Sequence, residues 1–227
     1  MYVLMCAAIP PLLLLFYILH LDKIEREPIG QVLKIFFLGC LSVIPAVVLE
    51  LAGEYVLVRV FGGDKTSILY KAIDYFIVVA LSEEFCKRFV MMKFMWKNPN
   101  FNYRFDAVIY CAASAVGFAA AENFEYMLME GTGILLARLI PVHAICGIFM
   151  GYYLGQAKVA ERCARASLCK HYKNLSMIVP VALHGFYDFA LSSESAFLIV
   201  LAMLMVVIAT VAAFITLHRA SKKDAPV

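Results

Sequence analysis

The sequence predicts an all-α polytopic transmembrane bundle of about seven spans, forming a single domain over residues 1–227. Three observations carry that expectation. Of the 227 residues, 63% are apolar and 16% charged, where a soluble domain has roughly 45–50% and 25%. The apolar residues fall into runs of about 17 to 28, the length a helix needs to cross a bilayer. The Lys and Arg residues concentrate in alternate connecting segments, as the positive-inside rule requires.

The first run, Tyr2 to Leu21, has no basic stretch before it and no small-residue cleavage site after it, so it is expected to be a retained span rather than a signal peptide. The next runs are Leu33 to Phe61, Ser67 to Met95, Ala107 to Met129, Ile134 to Ala157, Leu175 to Leu191 and Ala196 to Leu217. Their lengths and the lack of alternating apolar and polar residues favour helices over a membrane β-barrel, and each span must satisfy its backbone internally. Basic residues follow the first span (Lys23, Arg26, Lys34), fill Lys87 through Arg104 and Lys158 through Lys173, and end the chain (Arg219, Lys222, Lys223). The intervening loops hold only Arg59, Lys65 and Arg138. The N-terminus is therefore expected outside and the C-terminus in the cytoplasm.

The same features exclude several functions. A net charge of +3 is too small to suggest nucleic acid as a partner, and membrane orientation accounts for the basic loops. Cys40, Cys86, Cys111 and Cys146 sit in apolar runs, Cys163 and Cys169 sit in a basic loop, and no CxxC spacing occurs, so free thiols and apolar fillers are expected. No internal repeat suggests a transporter of duplicated halves. No extramembrane segment is long enough for a domain, which places any chemistry in the bilayer or at its edge.

Ionisable residues inside spans are costly and therefore informative. Four consecutive spans carry them: Glu83, Glu84, Lys87 and Arg88; Glu122 with Asn123; His143 after Pro141; and His184 with Asp188. At 1.5 Å of rise per residue from the basic edge of each span, Glu83 lies about 15 Å deep, His184 about 16 Å, His143 and Asp188 about 22 Å and Glu122 about 24 Å. They can therefore converge. Glu83 with Lys87, and His184 with Asp188, are spaced to share a helix face. Two histidines and several carboxylates from different helices are the ingredients of a zinc site, and a further glutamate could deprotonate a metal-activated water to attack a peptide carbonyl. More modest roles are also open: Glu84 paired with Lys87 or Arg88, Glu122 with Asn123 as interhelical hydrogen-bonding groups, and either histidine satisfied in a core. Glu50, Glu54, Lys71 and Asp74 fit no such constellation, and pairing or interface roles suit them better. Gly147, Gly151 and Gly155 are expected to let another helix pack closely.

Glu83-Glu84-x-x-Lys87, Phe118-x-x-x-Glu122-Asn123, Pro141-x-His143 and His184-x-x-x-Asp188, in that order over nearly the whole chain, resemble the PrsW family, and Asp22-x-x-Glu25-x-Glu27-Pro28 resembles that family's early acidic stretch. The resemblance implies a bacterial intramembrane protease of the cell membrane, related to the CAAX-processing and Abi membrane proteases. Its substrate would be a single-span membrane protein such as an anti-sigma factor, whose cleavage begins release of an extracytoplasmic-function sigma factor. Under it, Glu83 is expected as the general base, on a water held by zinc or by His143 and His184. Glu84 is expected beside it in the catalytic group, Glu122 and Asp188 as further ligands or orienting acids, and Lys87 and Asn123 as supporting residues. A metal-free variant, in which a Glu and His pair activates water directly, stays open. So do two other classes, an ion- or proton-coupled transporter and a non-catalytic assembly factor. Flux without a protein partner would mark the first, and tolerance of Glu83→Gln the second.

Overall fold

The computed structural model describes residues 2–130 and 141–227. The start of the expected fifth span at Ile134 and the loop residue Arg138 lie outside the described residues. Among the described residues the chain is a helical bundle: α1 (Tyr2–Leu21), α2 (Ile29–Leu41), α3 (Val43–Val60), α4 (Ile68–Ile73), a π-helical stretch (Asp74–Ala80), α5 (Leu81–Phe94), α6 (Asp106–Glu130), α7 (Val142–Arg162), α8 (Ala166–Ser192) and α9 (Ala196–Lys222). Among the described residues, four stretches are long and apolar enough to cross a membrane by themselves: Ile29–Val60, Asp106–Met129, Ala166–Ser192 and Ala196–Lys222; Pro11–Leu21 is a shorter apolar helix. Large apolar side chains such as Leu13, Phe16, Phe37, Ile44, Val60, Phe197 and Ile208 point outward, the surface a bilayer would cover.

Two expected spans differ in detail. The run from Leu33 to Phe61 is not one helix but breaks at Ser42, between α2 and α3. Pro45, third residue of α3, has no N–H to offer the Leu41 carbonyl, and the Ser42 hydroxyl turns back to donate to Gly39 O at 2.7 Å. The expected sixth span starts earlier, because α8 runs from Ala166, nine residues before Leu175, through a polar first half. Helix ends follow local chemistry. Gly62, at φ +60°, ends α3 as Gly63 N–H reaches back to Val58 O at 2.8 Å. The Ser67 hydroxyl caps α4 by accepting from Tyr70 N–H at 3.2 Å.

α6 is the central helix, and Ala107, Ile109, Tyr110, Ala112 and Ala113 along it are fully buried. The expected glycine face of α7 packs here: a Cβ at Gly147 would lie 2.8 Å from the Ala115 Cβ, and those at Gly151 and Gly155 would meet the backbone of Val108 and Arg104. A second close crossing was not expected. Gly39 of α2 abuts Ser114 O and Gly117 of α6 abuts Phe36 O, so α2 and α6 each supply a glycine to the other's backbone.

At the Asp106 end of α6 the acidic stretch after α1 folds into a buried cluster. Asp22 accepts from Glu27 N–H at 3.0 Å, Asp106 accepts from the N–H groups of Asn102 and Tyr103 at 3.0 and 2.7 Å, and Tyr110 donates to Glu27. The end of the chain closes over them: Arg104 N–H donates to Ala225 O at 3.0 Å, Val227 N–H to Asn102 O at 2.8 Å, and Phe105 N–H to the Asp224 carboxylate at 2.9 Å. The cysteines described there and elsewhere are free thiols.

Candidate active site

Glu83 and Glu84 open α5, directly after the π-helical stretch. The wider π turns shift the register of the helix, and Tyr75, Val79 and Glu83 line one cavity wall. α8 lies against this stretch because Gly185 lacks a side chain: a Cβ there would sit 3.0 Å from Phe76 Cα. That approach delivers the preceding residue, His184, to the two glutamates. His143 is the second residue of α7, one turn before Gly147, whose contact with α6 brings the imidazole to Glu122.

Lys87 stands at the centre. Its ammonium lies 2.9 Å from Glu83 Oε2, 2.8 Å from Glu84 Oε1 and 2.9 Å from His143 Nδ1, and 4.1 Å from the centre of the Phe118 ring. An ammonium can only donate, so His143 Nδ1 accepts. The ring proton is then on Nε2, which faces Glu122 Oε2 at 2.8 Å. His184 is held on both sides, with Nδ1 3.1 Å from Glu84 Oε1 and Nε2 2.9 Å from Asp188 Oδ2. Glu83 Oε2 lies 3.8 Å from His143 Nδ1 and 3.9 Å from His184 Nε2. The two imidazole rings are 4.9 Å apart at 84°. The centre is deeply enclosed: Glu84 is 0%, Lys87 1%, His184 3% and Glu83 5% exposed.

One ligand atom from each of Glu83, Glu84, His143 and His184 fits within a 4.8 Å cluster. Two imidazoles and two carboxylates are a zinc donor set. Each imidazole also has a carboxylate at a ring nitrogen, Glu122 for His143 and Asp188 for His184, as metal-bound histidines commonly do. The residues present therefore fit such an ion. Glu122 and Asp188, expected as ligands or orienting acids, contact the histidines from outside this four-residue group. Asn123 is buried and lines the same cavity.

The pairing expected of Glu84 with Lys87 is present, but Lys87 serves Glu83 as well; Arg88 instead reaches α8, donating to Ser176 Oγ at 3.0 Å and Lys173 O at 3.2 Å. Glu54 pairs with Lys65 at 2.6 Å and Lys71 donates to Ser192 O at 2.8 Å, the pairing roles expected of them. Glu50 and Tyr75 were not among the expected site residues, yet both line the cavity, which has a volume of about 490 Å³. The charged residue in an apolar run was the available signal for Glu50; nothing in local spacing points to Tyr75.

Fold and site together define a multi-pass membrane protein with a buried carboxylate–histidine centre opening on a cavity. A family model described as PrsW family intramembrane metalloprotease matches residues 27–215, a stretch that contains every residue of this centre, and the chain belongs to that family. It is similar to Protease PrsW of Oceanobacillus iheyensis, 36% identical over 208 residues that cover 90% of each chain. Protease PrsW of Bacillus subtilis is 33% identical over 199 residues, 86% of this chain and 85% of the relative. That of Clostridioides difficile is 30% identical over 210 residues, 89% and 84% respectively. No solved structure gives a significant match. The chain is thus a bacterial intramembrane protease acting within a lipid bilayer, which favours proteolysis over ion-coupled transport or a non-catalytic assembly role.

Proposed function

We propose that this protease hydrolyses a peptide bond in a single-span membrane protein such as an anti-sigma factor, the cleavage that begins release of an extracytoplasmic-function sigma factor, with Glu83 as general base. The observation that carries the reading is the cluster of Glu83, Glu84, His143 and His184 within 4.8 Å, with Glu83, His143 and His184 on the cavity wall. Alternating basic loops support seven spans with the C-terminus in the cytoplasm.

Glu83 faces the cavity, whereas Glu84 is fully buried behind it, which supports Glu83 as the group that takes a proton from an attacking water and returns it to the leaving amine. His143, His184 and Glu84 would hold a zinc ion. Bound there, zinc would supply Lewis-acid polarisation and a more acidic water. Lys87 balances the adjacent carboxylates, and Glu122 and Asp188 fix the orientation of the two imidazoles. Tyr187 and the walls formed by Val79, Phe118 and Leu191 narrow the space in which a peptide would lie.

The Lys87 ammonium bridging Glu83, Glu84 and His143 favours one second reading, in which Glu83 activates water without a metal and His184 faces the developing oxyanion. Elemental analysis of protein purified without chelators, beside a His143→Ala, His184→Ala double variant, separates the two. About one zinc per chain, lost in the variant, is expected. A metal-free sample that still cleaves a single-span substrate would establish the second reading instead. Cleavage by a correctly inserted Glu83→Gln variant at the parent rate would remove Glu83 as the base under both.

A further inference from the structure

α3 carries an acid in the middle of an apolar helix, and its position is fixed by its neighbours. Val43, Val47 and Glu50 form one face of α3 and all three line the active-site cavity. One turn before Glu50, Ala46 is fully buried against Cys86 of α5 and Phe118 of α6. Glu83 and Glu122 lie about one turn beyond those two contacts on their own helices, so Glu50 reaches the level of the catalytic centre.

Its carboxylate makes no hydrogen bond or ion pair among the described residues. The nearest ammonium, that of Lys87, is already shared by Glu83, Glu84 and His143. A carboxylate at this depth is costly unless something pairs with it. Of the acids in the described lining of the cavity, Glu83, Glu122 and Asp188 already face Lys87, His143 and His184, which leaves Glu50 as a wall carboxylate able to attract a cation. Valines one and two turns away along the same face suit the aliphatic stem of a long basic side chain.

We infer that Glu50 is a specificity-determining residue that receives a Lys or Arg side chain of the substrate close to the scissile bond. The inference rests on the protease reading of this site. A basic side chain seated there places the substrate chain across the cavity with its backbone towards Glu83. It also supplies the cation that Glu50 lacks among the described residues, so pairing occurs only when substrate is bound.

The test uses the full chain in proteoliposomes and single-span peptides identical except for one residue, set to Lys, Arg, Gln or Glu at successive positions around the cleavage site. The parent is expected to favour Lys or Arg over Gln at one position by about 10- to 100-fold in kcat/KM. In Glu50→Gln that ratio is expected to fall to near one, and in Glu50→Lys to invert in favour of Glu. For a variant too slow to assay, the same ratio is read as peptide affinity in Glu83→Gln and in Glu83→Gln, Glu50→Gln. A parent that cleaves the panel with no preference for a cation overturns the inference and leaves the protease reading intact. So does a preference that survives loss of Glu50. A parent that cleaves no peptide, in a preparation with no proteolysis of any membrane substrate, overturns the protease reading and this inference with it.

Discussion

The molecule buries two polar clusters, about 24 Å apart along α6 by its rise from Asp106 to Glu122, and it neutralises them in opposite ways. At the active site Glu83 and Glu84 share the Lys87 ammonium, and Glu84 also contacts His184, so a fixed cation of the protein serves the acids. At the other end Asp22, Glu27 and Asp106 have backbone N–H groups and Tyr110 as partners. There burial raises the carboxyl pKa values of Asp22 and Glu27, which favours their holding protons. A base has to stay available to a water in the cavity, which a fixed cation beside it favours, whereas a cluster at the membrane edge can draw protons from solvent. The first arrangement sets Glu83 between a fixed cation and a cavity; the second ties a loop, a helix start and the end of the chain together.

The same substitution in each cluster tests this division most strongly. Glu83→Gln is expected to lower cleavage by about 10²–10⁴-fold with unchanged thermal unfolding in detergent, while Glu27→Gln keeps an acceptor for Tyr110 and is expected to leave cleavage near the parent rate. Comparable losses in both variants would mean that the two clusters act as one unit. Next in size is Lys87→Met, which strands two buried carboxylates and is expected to cost about 3–5 kcal/mol of stability. Adding Glu84→Gln should recover part of that loss. No recovery in the double variant would show that Lys87 stabilises the bundle through Phe118 and packing rather than through the carboxylates.

The two clusters were not equally legible in the sequence. Glu83, Glu122, His143 and His184 stand out because each interrupts an apolar run, and depth counted along ideal helices placed them near one level. Their pairing was less accessible: that Lys87 would bridge both glutamates and His143 depends on how α5 and α7 each pack against α6, which local spacing does not determine. The π-helical stretch before Glu83 has no simple residue signature. Neither does the break at Ser42, where Pro45 was visible inside a run long enough to pass for one helix. The reciprocal glycines Gly39 and Gly117 lie in separate spans, so only their meeting in space reveals the contact. Asp22, Glu25 and Glu27 were legible as an acidic stretch like that of the PrsW family but not as a buried cluster, because burial of a loop by residues far along the chain is a tertiary event.

The glycine face of α7 connects the clusters and offers a graded comparison. Gly147→Ala places a methyl 2.8 Å from Ala115 Cβ, one turn from His143, whereas Gly155→Ala places one against Arg104 at the acidic end. Each is expected to cost about 1–3 kcal/mol. Only Gly147→Ala should also reduce kcat, by shifting His143 away from Glu122. Equal activity in the two variants, at matched stability, would show that the position of His143 is set by α8 rather than by the α6–α7 contact.

The smallest effect expected is a pH dependence confined to the acidic end. Burial raises the carboxyl pKa values of Asp22, Glu27 and Asp224; at Glu27 the hydrogen bonds from Tyr110 and Asp106 act in the opposite direction without cancelling it. A carboxyl whose pKa is higher folded than unfolded favours the folded state while both forms hold the proton, below the unfolded value of about 4. That contribution is lost as pH rises through the folded values. Tm in detergent should therefore fall as pH rises above the unfolded value of about 4, and Glu27→Gln, which cannot ionise, should flatten the fall by gaining stability relative to the parent at the alkaline end. A parallel fall in both proteins would place the pH dependence outside this cluster. The chain end that closes over Asp106 would then be held by its backbone pairing with Asn102 and Arg104 alone, and not by the protons the acids retain.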